Sequence, residues 1–186
     1  KEIARTNGGF WEVDHLLLAV GIWAFMIGAA AIYRSIATGG AAAWARLGFY
    51  GVVVATVLWT VVFALDGFGL PKAVEQWEEA IGPGREILLA IVSSTLLTYQ
   101  GLAAMTIIVF WLAWTFLGIG MALATTYPRW IGLVLIILGV ATVVAVGIPQ
   151  ALFGPSQTIQ MLFVVLSVLT TLWGLVVGVW IARRAW

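Results

Sequence analysis

The residues best suited to chemistry stand at the start of the first long apolar segment. His15 is the only histidine in the chain, with Glu12 three residues before it and Asp14 directly before it. Glu12 and His15 lie one helical turn apart and therefore share a helix face. A carboxylate beside an imidazole can ligate a metal or exchange a proton. The simpler interpretation, which we favour, is an interfacial histidine paired with Glu12 or with solvent.

Composition excludes several metal and cofactor sites. One histidine cannot supply a bis-histidine haem or the two Glu-x-x-His pairs of a di-iron bundle. The absence of cysteine excludes thiolate chemistry and Cys-ligated iron–sulfur clusters. A haem or metal held by His15 and Met161, or one axial ligand to a haem or pigment shared with another subunit, stays open as an alternative. We assign no catalytic residue, no metal ligand and no required cofactor.

The elements that position these residues must be membrane helices. The chain is 63% hydrophobic and 9% charged, with a mean hydropathy of +1.09, whereas soluble domains carry about 25% charged residues. A soluble protein of 186 residues could not bury that much apolar surface. The net charge of +1 gives no reason to expect nucleic acid as a partner. The chain begins with Lys, which fits a removed leader peptide or a start within a longer protein.

The hydropathy pattern predicts an all-α bundle of five transmembrane helices in a single domain. A span needs about 20 mostly apolar residues. The predicted spans are residues 14–33, 42–65, 96–125, 128–153 and 156–182. Thr38-Gly39-Gly40, Tyr127-Pro128 and Gly154-Pro155 mark breaks between them, Ser156 is a suitable N-cap for the last, and Pro149 predicts a bend in the fourth.

One long loop, residues 66–95, is expected between the second and third spans. Pro71 and Gly82-Pro83-Gly84 delimit a short helix over residues 71–80. For residues 85–98 we expect a helix that lies in or projects from the membrane interface and then enters the membrane, with a sixth span as the alternative.

Orientation follows from the arginines of the short loops. Arg34, Arg46, Arg129, Arg183 and Arg184 fall on one side of a five-span topology. Because positive residues concentrate on the cytoplasmic side, the C-terminus is predicted to be cytoplasmic in a bacterial-type membrane. The N-terminus and the acidic loop are then outside. A sixth span would separate these arginines, which counts against it.

With the spans threaded this way, sparse polar residues form one layer near the outer ends of the helices. A quinone, haem or pigment site, if one exists, would draw on His15, Glu12, Asp66, Tyr99, Gln160 and Met161. The middle of each span is almost free of ionisable groups, which disfavours ion-coupled transport and proton pumping.

Small residues four apart predict close helix contacts, because they let backbones approach in lipid. The pairs are Ala24/Gly28, Gly51/Ala55, Gly118/Ala122, Ala141/Ala145 and Gly174/Gly178. They favour a packed bundle and, with it, other transmembrane subunits as partners.

Two stretches carry a resemblance. "LDGFGLPKAVEQWEEA" at residues 65–80 and "TTYPRWIGLVLIILGV" at 125–140 resemble a broad set of uncharacterised bacterial multi-pass membrane proteins, over about half the chain. The resemblance implies the same transmembrane topology. In it the second helix ends at Asp-Gly, a short acidic helix lies outside, and Tyr-Pro-Arg-Trp begins the next span. It implies no activity and no site residues.

The function we expect is therefore that of a non-catalytic membrane subunit or interaction protein. It would pack in a larger membrane complex and present its acidic loop. A redox or ligand-binding membrane protein that holds quinone, haem or pigment, and a small-solute or lipid transporter with a cavity among the second to fourth helices, are the alternatives.

Overall fold

The computed structural model describes residues 8–36 and 38–185, with side chains as far as Arg183. The fold is all-helical, with 92% of the residues in helices and no strand in this described part. Its α-helices are α1 (Gly8–Ser35), α2 (Gly39–Ala64), α3 (Leu70–Glu79), α4 (Pro83–Leu123), α5 (Arg129–Thr142), α6 (Ile148–Phe153) and α7 (Gln157–Ala185). A π-helical turn, Leu65–Gly69, joins α2 to α3, and a second, Val143–Gly147, joins α5 to α6.

The described residues contain five helical runs that are long and apolar enough to cross a membrane, which confirms the predicted fold class. They are Phe10–Ser35, Gly39–Glu79, Pro83–Leu123, Arg129–Phe153 and Gln157–Arg183. Helices are the expected form because lipid offers no partner for backbone polar groups. Helix α1 begins before Asp14, where we placed the start of the first span, because hydropathy locates the apolar segment rather than the first helical residue.

The segment expected to be a long loop is almost entirely helical, and this corrects its description. The expected short helix exists as α3, but the π-helical turn joins it to α2 without a break. Only residues 80–82 separate α3 from α4. Gly82 allows this tight connection because its φ is +69°, a conformation that other residues rarely adopt. Pro83 then begins α4, a position that suits its missing N–H.

Residues 85–98 form the first part of α4 and not a separate sixth span among the described helices. Helix α4 has 41 residues, which is about 60 Å at 1.5 Å per residue. The hydrocarbon core of a bilayer is about 30 Å thick. Helix α4 is therefore about twice as long as that core is thick, and the interfacial position expected for residues 85–98 stays a prediction.

The predicted fourth span is one helical run, Arg129–Phe153, with a π-helical turn inside it, and the fifth is capped as expected. The π-helical turn that separates α5 from α6 ends at Gly147, two residues before Pro149. Gly154 ends α6 at a φ of +79°. The Ser156 hydroxyl accepts a hydrogen bond from the Ile159 N–H at 3.3 Å, which confirms Ser156 as the N-cap of α7.

The chain divides into two compact units. The first unit comprises Lys1–Phe25 and Thr56–Ala103, and the second comprises Met26–Ala55 and Ala104–Trp186. Helices α1, α2 and α4 contribute a segment to each unit. All eight Asp and Glu residues belong to the first unit, and five of the nine Lys and Arg residues belong to the second.

Glycines hold the helices of the second unit together. A Cβ at Gly48 would lie 2.5 Å from the Leu117 backbone nitrogen, and one at Gly51 would lie 2.7 Å from the Ala113 Cβ. A Cβ at Gly118 would meet the Gly132 carbonyl at 2.9 Å. We call each pair of small residues four positions apart a small-residue seam. The seams at Gly51 and Gly118 are therefore occupied by a neighbouring helix of the same unit, whose backbone approaches closely because no large side chain intervenes.

Candidate functional site

His15 is a buried histidine whose first ring nitrogen is bound within its own helix. It lies two turns into α1 and is 4% exposed. Nδ1 lies 2.9 Å from the carbonyl oxygen of Trp11, four residues earlier. Because a carbonyl can only accept, Nδ1 carries a hydrogen and donates it. This bond fixes the ring plane and directs Nε2 away from α1.

The second ring nitrogen faces Asp66 in the first π-helical turn. Nε2 lies 3.2 Å from Oδ2 of Asp66, whose side chain is 22% exposed. Since Nδ1 already carries a hydrogen, a hydrogen bond at Nε2 needs one further proton. That proton sits either on Nε2, which gives an imidazolium and a carboxylate, or on Oδ2, which gives a neutral pair. Either arrangement has no net charge, which suits an apolar surrounding.

Tyr99 of α4 completes the polar cluster. Its hydroxyl donates to the same Oδ2 of Asp66 at 3.1 Å. One carboxylate oxygen therefore joins side chains from α1, α4 and the turn after α2. The three residues were assigned to one polar layer by depth alone, and the structure brings them into direct contact.

The π-helical turn explains why Asp66 hydrogen-bonds to α1 through its backbone carbonyl as well as through its side chain. The Leu70 N–H bonds to the Leu65 carbonyl, so it does not take up the Asp66 carbonyl as an α-helix would. Pro71 has no N–H to replace it. The indole Nε1 of Trp11 donates to this released carbonyl at 3.0 Å.

Close packing around His15 leaves it little freedom. A Cβ on Gly67 would lie 2.6 Å from the His15 Cβ. The Trp11 ring lies 4.6 Å from the imidazole, centroid to centroid, and the Phe63 ring meets it edge-on at 6.3 Å. The imidazole is thus held by two hydrogen bonds, two aromatic rings and the bare backbone of Gly67.

The remaining sequence candidates take no part in this cluster. Glu12 is half-buried on α1 and makes no hydrogen bond to a described residue. Gln160 and Met161 belong to the second unit, where both side chains are exposed on the first turns of α7. Sequence reasoning missed Trp11, Phe63 and Gly67. The one sequence signal that could have pointed to Trp11 is Gly-Leu-Pro at residues 69–71, because Pro71 leaves a carbonyl on the preceding turn without its N–H partner.

The cluster offers no free ligand atom from His15. Both ring nitrogens are bonded to protein oxygens, so coordination of a metal or haem iron would require breaking one of these bonds. The described residues contain no group of three or more His, Asp or Glu side chains arranged to hold a metal ion. What the arrangement can do is share one proton between His15 and Asp66 while it ties three chain segments together.

No protein-family model, no curated protein and no solved structure matches the chain. The resemblance to bacterial multi-pass membrane proteins therefore stays a prediction.

Proposed function

We propose that this chain is a non-catalytic integral membrane protein that packs against other transmembrane chains. The observation that supports this most directly is the difference among its small-residue seams. Those at Gly51 and Gly118 are filled internally, whereas a Cβ on Gly28 or on Gly178 would meet nothing within 4 Å. Seams of this kind permit close helix approach in lipid.

Exposure of the two outer helices supports the same proposal. Ala24 and Gly28 are exposed on α1, and Gly178 is exposed on α7. Within the most apolar window of each span, only 11% of the α1 residues and 17% of the α7 residues are buried, compared with 61% for α4. Helices α1 and α7 therefore present the surface on which another chain would pack.

The polar cluster also favours a structural role. Asp66 is hydrogen-bonded to both His15 and Tyr99. These polar side chains therefore hold helices of the first unit together. A catalytic or transport site would instead leave donor or acceptor atoms facing a cavity. Between α2 and α4 the backbones meet directly at Gly48 and Leu117, so this contact leaves no space for the cavity that a transporter needs there.

The location we propose is a bacterial-type cytoplasmic membrane, with the N-terminus and α3 outside and the C-terminus cytoplasmic. Arg34 and Arg129, which lie at the ends of spans beside short connections, support this orientation. Glu78→Cys, exposed on α3, should react with an impermeant maleimide in intact cells. Arg129→Cys should react only after the membrane is permeabilised. The reverse labelling pattern would show that the topology is opposite to the one proposed.

Site-directed photo-cross-linking tests the proposed packing. The chain has no cysteine, so Gly28→Cys and Gly178→Cys each give one attachment point for a benzophenone maleimide in native membranes. We expect both positions to join the tagged chain to a discrete second protein. Val165→Cys, which is 55% exposed on α7 but outside the seam, is the matched control and should give lipid adducts only.

Equal cross-linking from the seam and from Val165 would remove the seam as a contact surface. A chain that is recovered only as a monomer with lipid adducts would contradict the proposal as a whole.

One observation supports the ligand-binding alternative: Asp66 is 22% exposed although it is hydrogen-bonded to both His15 and Tyr99. A quinone carbonyl that took over the Tyr99 hydroxyl could occupy that open side, whereas haem or pigment ligation would have to displace a His15 contact. Organic extraction and an absorption spectrum of the native preparation test this alternative. Absence of quinone and of visible bands would eliminate it.

A further inference from the structure

A shallow apolar groove runs along the last turns of α7. It has a volume of about 390 Å³ and is lined by Leu175, Val176, Val179, Trp180 and Arg183. Successive positions in this set are one or three residues apart, so they form one face of the helix. The three aliphatic side chains are between 48% and 62% exposed. The groove is therefore apolar along its length and has a cation at its end.

Arg183 lies two residues before the end of α7 at Ala185, after the apolar stretch of that helix. It is exposed, and its own unit, comprising Met26–Ala55 and Ala104–Trp186, contains no Asp or Glu in its sequence. Arg34, Arg46 and Arg129 of the same unit are exposed as well. The unit thus has positive side chains and no Asp or Glu side chain of its own to neutralise them.

One wall of the groove is held in place by the neighbouring segments. The Trp180 ring packs on the Tyr127 ring at 5.2 Å between centroids. Tyr127 is 5% exposed, and its hydroxyl lies 2.6 Å from the Ser35 hydroxyl oxygen. Because the Ser35 hydroxyl donates to the Ile32 carbonyl, its oxygen accepts from Tyr127. The indole is therefore a preformed surface, which reduces the ordering that a ligand must impose.

We propose that this groove binds one anionic phospholipid. An acyl chain lies along Leu175, Val176 and Val179, and the headgroup phosphate accepts hydrogen bonds from the Arg183 guanidinium. Arginine suits phosphate because its planar donors match the phosphate oxygens. A zwitterionic lipid is the weaker ligand, since its cationic group would find no carboxylate in this unit. The site is independent of any partner chain.

Native mass spectrometry of the full chain, released from micelles, tests this site. The probes are phosphatidylglycerol and phosphatidylcholine with identical acyl chains. We expect the wild-type chain to retain one phosphatidylglycerol in preference to phosphatidylcholine. Arg183→Gln should weaken phosphatidylglycerol binding about fivefold, the effect of one basic side chain near a membrane surface. Phosphatidylcholine has the same phosphate, so its weaker binding should also fall, but by a smaller factor, because removal of the Arg183 cation relieves its repulsion of choline.

Two further variants separate the groove from a general charge effect. Lys72→Gln removes the same charge from an exposed position on α3 and should leave lipid binding as in the wild type. Val179→Trp fills the groove at a lipid-exposed position and should displace the bound phosphatidylglycerol while Arg183 is intact. Equal wild-type affinity for the two lipids, equal losses in Arg183→Gln and Lys72→Gln, or full binding by Val179→Trp would each overturn the proposal.

Discussion

The two π-helical turns share one backbone design and differ in what they hold. Leu65–Gly69 is followed by Leu70-Pro71, and Val143–Gly147 is followed by Ile148-Pro149. In both, the residue before the proline donates its N–H to the first residue of the turn, five positions back. A proline ring collides with the carbonyl four residues before it in an α-helix, and one extra residue in the turn relieves that collision.

Each turn releases the carbonyl of its second residue. In the first turn this carbonyl belongs to Asp66, and the Trp11 indole takes it up at 3.0 Å. In the second it belongs to Val144, which receives neither the α-helical bond, since Ile148 N–H goes to Val143, nor the π-helical bond, since Pro149 has no N–H. No described side chain donates to Val144.

The comparison teaches that a π-helical turn is not by itself a functional sign. Such turns are frequent at functional sites, yet here both precede a proline and only the first adjoins a polar cluster. What distinguishes the first turn is the residue at its second position. Asp66 collects His15 and Tyr99, whereas Val144 is 59% exposed and apolar.

The largest loss of stability should follow when Asp66, at the second position of the first turn, is replaced by valine, the residue at that position in the second turn. Asp66→Val leaves His15 Nε2 and the Tyr99 hydroxyl without their shared partner in a mostly buried site. We expect a loss of about 3 kcal/mol in the free energy of unfolding, measured by SDS titration in mild detergent. Glu75→Ala, at an exposed carboxylate on α3, is the control and should change it by less than about 0.5 kcal/mol. Equal losses in the two variants would contradict the assigned contacts.

A smaller effect should follow from filling the third position of the first turn. Gly67→Ala would place a Cβ 2.6 Å from the His15 Cβ, and it should cost about 2 kcal/mol because α1 itself must move. The second turn already has Ala145 at this position.

Gly69→Ala is the matched control for that substitution, because its Cβ would find nothing nearer than the Ala64 carbonyl at 3.7 Å. It should leave the same SDS-titration midpoint nearly unchanged. If Gly69→Ala proved as damaging as Gly67→Ala, the close approach to His15 would not be the cause.

The smallest effect concerns the prolines themselves. Alanine at position 149 supplies an N–H that the Val144 carbonyl lacks, whereas at position 71 the Asp66 carbonyl already accepts from Trp11. Both substitutions add the same conformational freedom to the unfolded chain. The difference between their free energies of unfolding therefore reports the hydrogen bond gained by the Val144 carbonyl. We expect Pro149→Ala to be more stable than Pro71→Ala by about 1 kcal/mol in the same assay. The opposite order would show that Val144 is satisfied by another group.

Hydropathy predicted the five spans because each run of apolar residues has few interpretations in a chain this poor in charge. It could not predict the loop correctly. Asp66, Lys72 and Glu75 lowered the local hydropathy and suggested a loop, yet polar residues form helices readily where water or a neighbour satisfies them. Helical continuity through Leu65–Gly69 depended on a backbone adjustment that no periodicity reports.

Depth along the spans placed His15, Asp66 and Tyr99 in one layer, but the same reasoning added Glu12, Gln160 and Met161. Depth is one coordinate of three. It cannot say which side of a helix faces which neighbour, so it does not distinguish the residues that contact one another from those that only share a depth.

The sequence by itself determined that this chain is an all-helical protein with five helices able to cross a membrane, because apolar runs of about 20 residues or more satisfy their own backbone in lipid as helices. Only the tertiary structure decided that one proline-driven turn would become the meeting point of His15, Asp66 and Tyr99 while the other stayed apolar. The reason is geometric: both sequences release a carbonyl, but helix packing alone brings a donor and two polar side chains within hydrogen-bonding distance of one turn.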